Sequence, residues 1–393
     1  MRNGFRTSML ALAFAAGMAG VAQAQQGVSD SEIVIGSNGD LSGVFAAFNV
    51  GAIKAAQQVF DKVNAEGGVH GRKIRFIAED HGYQVPKAVQ NFNKLINADK
   101  VFAMILNLGT PHNIAGFPLM AAKQVANVSP LTAARQMLEG DITYKYSGLG
   151  TYYGEMKEGI RMLAKEKGAT KICSMYIPSD FGLEVNEAAK DVAKEISAEY
   201  VDETTHRPDE QDFVGSIQKL RASGCQIIAM GIAVRPTIVA VGTAKKLGWN
   251  EAAFIGSSAG FNTAIAKVPG GVTEGYYAAA GWSDLEARVA GNEELRKWAE
   301  GYKAAFNEAP GTASQLGYAA ATTLVKAFEA AGKELTPESF KKGMESLSFH
   351  DPILDVDVKY GPDDHQGGGL IVLSQIQDGV WKEVARVDPE KAN

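Results

Sequence analysis

The chain has 393 residues, with 39 Lys and Arg against 45 Asp and Glu, a formal charge of −6 and a hydrophobic fraction of 46%. The acidic balance argues against a nucleic-acid partner, and the apolar share is that of an ordinary globular protein. Single cores stop growing near about 250–300 residues, so the length predicts two domains.

Residues 1–24 read as a secretory signal peptide. Arg2 and Arg6 charge its start, Met9 to Val21 is apolar, and Ala22-Gln23-Ala24 supplies the small-x-small pattern that predicts cleavage after Ala24. The run is shorter than the roughly 20 residues a membrane helix needs. Nothing later is long and apolar enough to span a membrane, so a soluble exported protein is expected.

Beyond the leader, strand and helix signals alternate. Glu32 to Gly36 is a short apolar strand ending in a glycine-rich turn. Residues 51–65 carry Ile53, Ala56, Val59, Phe60 and Val63 at helical spacing, and Glu66-Gly67-Gly68 stops that helix. Lys73 to Ala78 alternates as a strand, 86–96 is helical, and Val101 to Leu106 reads as a buried strand. The order restarts at Lys171, with strands over 171–177, 199–203 and 226–230 and helices near 183–197 and 211–222. Strands over 253–256 and 274–279, then helices over 292–307 and 312–331, come next. From Leu354 the chain turns to strand and hairpin signals, including Gly367-Gly-Gly369 and Gln377-Asp-Gly379. The fold class is therefore α/β, two doubly wound parallel sheets with a cleft at the carboxyl ends of their strands.

Only Cys173 and Cys225 occur. The pattern puts Cys173 mid-strand and Cys225 at the start of a parallel strand, an offset of about 10 Å, beyond disulfide reach. Two buried free thiols are expected. There is no CxxC and no metal-ligand spacing among the six His, so neither zinc nor a cofactor is expected.

Several short segments, in order, carry a resemblance: Ile33-Val-Ile-Gly36 with Leu41-Ser-Gly43, Asn64-Ala-Glu-Gly-Gly-Val-His-Gly-Arg-Lys73, Glu79-Asp80 followed by Pro86, Asp180-Phe-Gly182, and Asp212-Phe213. Over residues 31–385 the chain resembles the type I periplasmic binding proteins of the leucine/isoleucine/valine family. The resemblance implies a monomer of two lobes joined by three crossovers near 147–151, 277–281 and 354–360. Lobe 1 would hold 25–148 and 280–355, and lobe 2 would hold 149–279 and 356–393. It implies capture of a small ligand by hinge closure in the periplasm, then delivery to an ABC permease in the inner membrane.

Leu108-Gly109-Thr110-Pro111-His112-Asn113 is the best local anion site. Thr110 suits an N-cap and Pro111 the first helical position, and a helix N-terminus favours a carboxylate. By resemblance, the hydroxyl at Thr110 meets the ligand's carboxylate. The family's ammonium half is missing. Leu131 and Thr132 precede Ala133, which stands at the family's hydroxyl position, and Ser257 or Ser258 stands at its acidic position. A buried ammonium without a carboxylate would cost several kcal/mol, so the pattern argues against an α-amino acid. Phe48 and Phe181 fall at wall positions. Arg235 in Val234-Arg235-Pro236 is either the second half of a carboxylate clamp or a solvated loop charge. Trp282 and Tyr152-Tyr153 lie near the crossovers and read either as pocket wall or as hinge packing, with packing favoured. The expected ligand is an apolar or aromatic carboxylate.

Three rival readings carry their own residues. Gly256-Ser257-Ser258-Ala259-Gly260 formally matches G-x-S-x-G, which in a serine hydrolase would make Ser258 the nucleophile, with His350 or His365 downstream. The glycine count makes the match easy by chance, and no HGGG-type segment accompanies it. A branched-chain amino-acid binder and a ligand sensor share the same fold. No G-x-G-x-x-G or P-loop supports nucleotide binding.

Overall fold

A computed structural model describes residues 25–388. The leader and its cleavage position lie outside the described residues. Among those described, no helix is long and apolar enough to cross a membrane.

Two parallel sheets organise the molecule. The first contains β1 (Glu32–Gly39), β2 (Lys73–Asp80), β3 (Ala103–Ile105), β4 (Ala126–Val128) and β5 (Lys145–Tyr146), in the order β2-β1-β3-β4-β5. The second contains β6 (Lys171–Tyr176), β7 (Glu199–Thr205), β8 (Ile227–Gly231), β9 (Ala253–Gly256) and β10 (Tyr277–Ala280), in the order β7-β6-β8-β9-β10. Both sheets thus wind outward from their first strand in the same sequence, the doubly wound pattern built twice. Strands β11 (Ser348–Asp351) and β12 (Val356–Lys359) form a separate hairpin. Strands β13 (Ile371–Gln377) and β14 (Val380–Val387) extend the second sheet, β13 antiparallel to β10 and β14 antiparallel to β13.

Burial explains the strand signals. Ile33 to Gly39 of β1 and all of β8 are buried, as befits parallel strands covered on both faces. Helices Ala46–Ala65 and Thr312–Ala331 cover the first sheet together. They approach so closely that a Cβ on Gly317 would lie 2.0 Å from the Ala52 carbonyl oxygen. In the second unit, helix Tyr152–Lys167 is capped by the Thr151 side chain, which accepts from the Gly154 amide at 3.1 Å.

The chain passes between the units after β5, after β10 and before β13. The third passage lies between Gly367 and Ile371, further along than 354–360. Leu354, Val358 and Tyr360 pack against Leu106, Leu316 and Ala320 of the first unit, and Gly367 still donates to the Ser147 carbonyl at 2.7 Å. The elements with weak signals were β4 and β5, of three and two residues, and helices Tyr152–Lys167, Val234–Lys246 and Pro337–Glu345.

The expectation of free thiols is corrected. Cys173 and Cys225 form a disulfide with Cα atoms 5.8 Å apart. The strand offset assumed that Cys225 continues β8, which in fact begins at Ile227. Gly224, at φ +77°, turns the chain back so that the Cys225 amide donates to the Leu220 carbonyl, and this folds Cys225 towards Cys173.

Candidate functional site

The carboxyl ends of both sets of parallel strands, together with the segments between the units, converge on one cavity. From the first unit come Phe45 and Phe48 after β1, Tyr83 after β2, Leu108 to Thr110 after β3 and Leu131 to Ala133 after β4. Phe181 after β6, and Ser258 with Ala259 after β9, face them from the second unit. Leu149, Tyr152, Trp282 and Leu316 complete the wall. The place is the one doubly wound sheets favour, outside the strand ends where the winding reverses between β1 and β3.

One end of the cavity is built from hydroxyls at a helix start. Helix Thr110–Ala121 has Gly109, not Thr110, as its N-cap, with no side-chain capping bond. Gly109 stands at φ +95°, and a Cβ there would lie 2.4 Å from His112 Nδ1, so glycine is required on both counts. Because Thr110 is relieved of capping, its Oγ1 lies 2.7 Å from Thr132 Oγ1, and the Tyr152 phenol interacts with the same Thr132. First-turn amides of a helix lack intrahelical acceptors, so this end combines N–H groups, three hydroxyls and the positive end of a helix dipole.

Among the described residues, no Lys, Arg, Asp or Glu lines the cavity. Beneath the hydroxyl end, the rings of His81 and His112 stack at 4.3 Å, and burial pushes both imidazoles down to about 4, so they are neutral at pH 7. Burial likewise raises the Tyr83 and Tyr152 phenols above their ordinary range, keeping them as neutral donors. The remaining wall is aromatic and joins the two units: Phe45 packs on Tyr83 at 4.8 Å and on Phe181 at 6.3 Å, and Phe181 packs on Tyr152 at 4.8 Å. Buried Asp40 accepts the Gly43 and Phe45 amides, which fixes the turn presenting Phe45.

The family model described as periplasmic binding protein matches residues 32–380. The chain belongs to the periplasmic binding protein family. Members of this family are substrate-binding proteins. The chain is 22% identical over 384 residues to Leu/Ile/Val-binding protein homolog 8 of Brucella abortus (strain 2308), covering 92% of each. It is 23% identical over 230 residues to an amino acid binding protein of Pseudomonas aeruginosa, aligning 58% of this chain with 59% of that protein's length. Among solved structures, a fatty acid ABC transporter substrate-binding protein from Thermomonospora curvata superposes with a TM-score of 0.84 at 24% identity, over 93% of this chain and 94% of that one. A solute-binding protein from R. palustris in complex with benzoate gives 0.79 at 15% identity, over 91% and 97%. The fold is the type I arrangement of two lobes.

In this binding protein the cavity gathers Phe48, Gly109, Thr110, Leu131, Thr132, Ala133, Phe181 and Ser258. Arg235 is not with them. Helix Val234–Lys246 starts at Val234, and its buried face carries Val234, Thr237, Ala240, Val241 and Ala244, which turns Arg235 to solvent. The carboxylate clamp drawn from Arg235 therefore has no geometry behind it. Of the residues read as pocket wall or hinge packing, Tyr152 and Trp282 line the cavity, whereas Tyr153 donates its hydroxyl to Asp191 at 2.7 Å.

The G-x-S-x-G pattern has a packing explanation. The Tyr276 hydroxyl lies 2.1 Å and 2.4 Å from where Cβ atoms of Gly256 and Gly260 would stand. Ser258 is paired with Glu155, its amide donating to Glu155 Oε2 at 2.9 Å. His350 bonds Asp357 on the β11–β12 hairpin, and His365 meets the carbonyls of Ile142 and Lys145, so neither serves Ser258.

Glu155, behind the cavity wall, was not singled out from the sequence. It is fully buried behind Ser258, three residues after Tyr152 on the same helix, and its Oε1 has no hydrogen-bond partner. Burial pushes its carboxyl up to about 8 against the opposing Ser258 hydrogen bonds, with the nearby Glu184 charge adding to the rise. Helical spacing from Tyr152 was the signal available for it.

Proposed function

We propose that this chain is the solute-binding component of an ABC importer, exported by its leader and working in the periplasm. It would capture a small carboxylate with an apolar or aromatic body between its lobes, by hinge closure, and deliver it to a membrane permease. The observation that carries the reading is the composition of the cavity: hydroxyls and a helix start at one end, aromatic rings along the rest, and no acidic side chain on the wall among the described residues. A carboxylate is matched by such donors, while an ammonium group would be desolvated without a partner. Thr110, Thr132 and Tyr152 would hold the carboxylate, and Phe45, Phe48, Phe181 and Trp282 the body. That T. curvata and R. palustris proteins of the same fold are described with a fatty acid and with benzoate supports the ligand class.

A branched-chain amino acid is the second reading. It is favoured by Glu155, whose unpartnered oxygen stands behind Ser258 and would gain a charge partner from an ammonium group. A thermal-shift and calorimetric panel of benzoate, 4-hydroxybenzoate, short fatty acids, leucine, isoleucine and valine decides between them. A ligand at 100 times its Kd adds about 2.7 kcal/mol of stability. Stabilisation by the plain acids alone is expected, and stabilisation by leucine or valine alone would overturn the carboxylate reading.

A further inference from the structure

The loop that supplies Thr132 and Ala133 to the cavity runs on into a short helical turn at Arg135–Leu138. Arg135 belongs to the first lobe, yet its partners lie on two helices of the second. Its backbone amide donates to Glu184 Oε1 at 2.7 Å, and its Nε lies 3.7 Å from Glu184 Oε2. Its guanidinium pairs with Glu187 and sits 4.6 Å above the Tyr153 ring. Glu184 and Glu187 stand on helix Asp180–Glu195, and Tyr153 on helix Tyr152–Lys167, so one side chain spans both elements.

None of these four residues lines the cavity, but each is tied to one that does. Glu184 is one helical turn after Phe181, Tyr153 follows Tyr152, and Arg135 follows Ala133 by two positions. Other bonds across the lobes include neutral ones, between Asn262 and the Ala47 carbonyl and between Thr263 and Thr312, and two more charged pairs, Lys267 with Glu286 at 2.7 Å and Arg386 with Asp355 at 3.4 Å, but only Arg135 stands on a loop that supplies the cavity wall. Glu184 is 2% exposed, and its Oε2 has no hydrogen-bond partner. Arg135, about a third exposed, is the positive charge nearest this buried carboxyl, so opening the lobes would take that charge away from it.

We propose that Arg135 is a latch between the lobes, which sets ligand affinity through the balance of open and closed forms without touching the ligand. The inference rests on the reading that ligand is enclosed between the lobes. A protein whose closed form is only fractionally populated binds more weakly by that fraction, so loosening the latch weakens every ligand alike. Couplings of this kind range from about 5-fold to 150-fold.

The test uses full-length mature protein carrying spin labels at Lys123→Cys and Lys246→Cys, one exposed position on each lobe, with the native disulfide intact. Interlobe distances are measured without ligand and with benzoate or leucine. Without ligand, a short-distance population is expected, and both Arg135→Ala and Glu187→Gln should shift it to longer distances. Glu187 is half exposed, so its variant probes the latch without disturbing a core. With ligand, Arg135→Ala should raise the dissociation rate by about tenfold or more and leave the association rate nearly unchanged. Absence of a short-distance population in the ligand-free protein would overturn the latch. So would distances in both variants equal to those of the unsubstituted protein, or an affinity loss with unchanged distances. If neither benzoate nor leucine binds, the ligand reading fails, while the ligand-free distances still decide the latch.

Discussion

Replacing Glu155 with Gln should make the protein more stable than the unsubstituted chain at pH 8, and nearly equal to it below pH 5. In the folded protein this carboxyl is raised from 4.5 to about 8, chiefly by burial. Below about 4.5 it is protonated in both the folded and unfolded states and adds no penalty. As pH rises through that value the unfolded chain releases the proton while the folded one retains it, so stability falls until pH passes 8. At 1.36 kcal/mol per pKa unit, a penalty of about 3–4 kcal/mol develops between pH 5 and pH 8. Gln is neutral throughout and keeps an oxygen for the Ser258 amide. Urea unfolding of both proteins at pH 5, 6.5 and 8 measures the difference directly. Curves that stay parallel across that range would refute the assignment of a neutral buried carboxyl.

Three further outcomes follow from the same geometry. Thr110→Val removes the hydroxyl at the helix start while keeping its shape, and should weaken a bound carboxylate by about tenfold in calorimetry, with a loss of about 1 kcal/mol of stability from the Thr132 hydroxyl it leaves behind. Replacing Cys173 and Cys225 together with Ala should cost about 4 kcal/mol in urea unfolding, because the bond closes a sequence separation of 52 residues. Gly317→Ala should lower stability by about 1–3 kcal/mol or more, as its Cβ would meet the Ala52 carbonyl in a contact that neither helix can relieve alone.

Much of the architecture was legible in the sequence because parallel strands buried on both faces read as apolar runs between amphipathic helices. Strands β1, β6 and β8 fall where those runs lie, and helix Thr312–Ala331 starts and stops at the expected residues. Strands β4 and β5 were not legible, since three and two residues show no period. Near the cavity, the helix start after β3 could be read from turn chemistry, but its cap is Gly109 and not Thr110. Arg235 shows where that approach ends. Its position after β8 was read correctly, but the rotation of the helix that begins at Val234 decides where its side chain points. Tyr152 and Trp282 reach the cavity from passages between the lobes, where no periodicity marks an inward face. The disulfide was hidden by one left-handed glycine, which changed the path of Cys225 by more than any strand count could anticipate.

The pairing of helix Ala46–Ala65 with helix Thr312–Ala331 also bears on the order in which the molecule can assemble. The first sheet is encoded early, but one of its covering helices arrives near the end of the chain. Strands β6 to β10, by contrast, lie close together in sequence and can pair as soon as they are made. A growing or newly released chain therefore keeps its first sheet half-covered until residue 331 is in place, and the second sheet, though its parallel strands can pair early, gains β13 and β14 only later still.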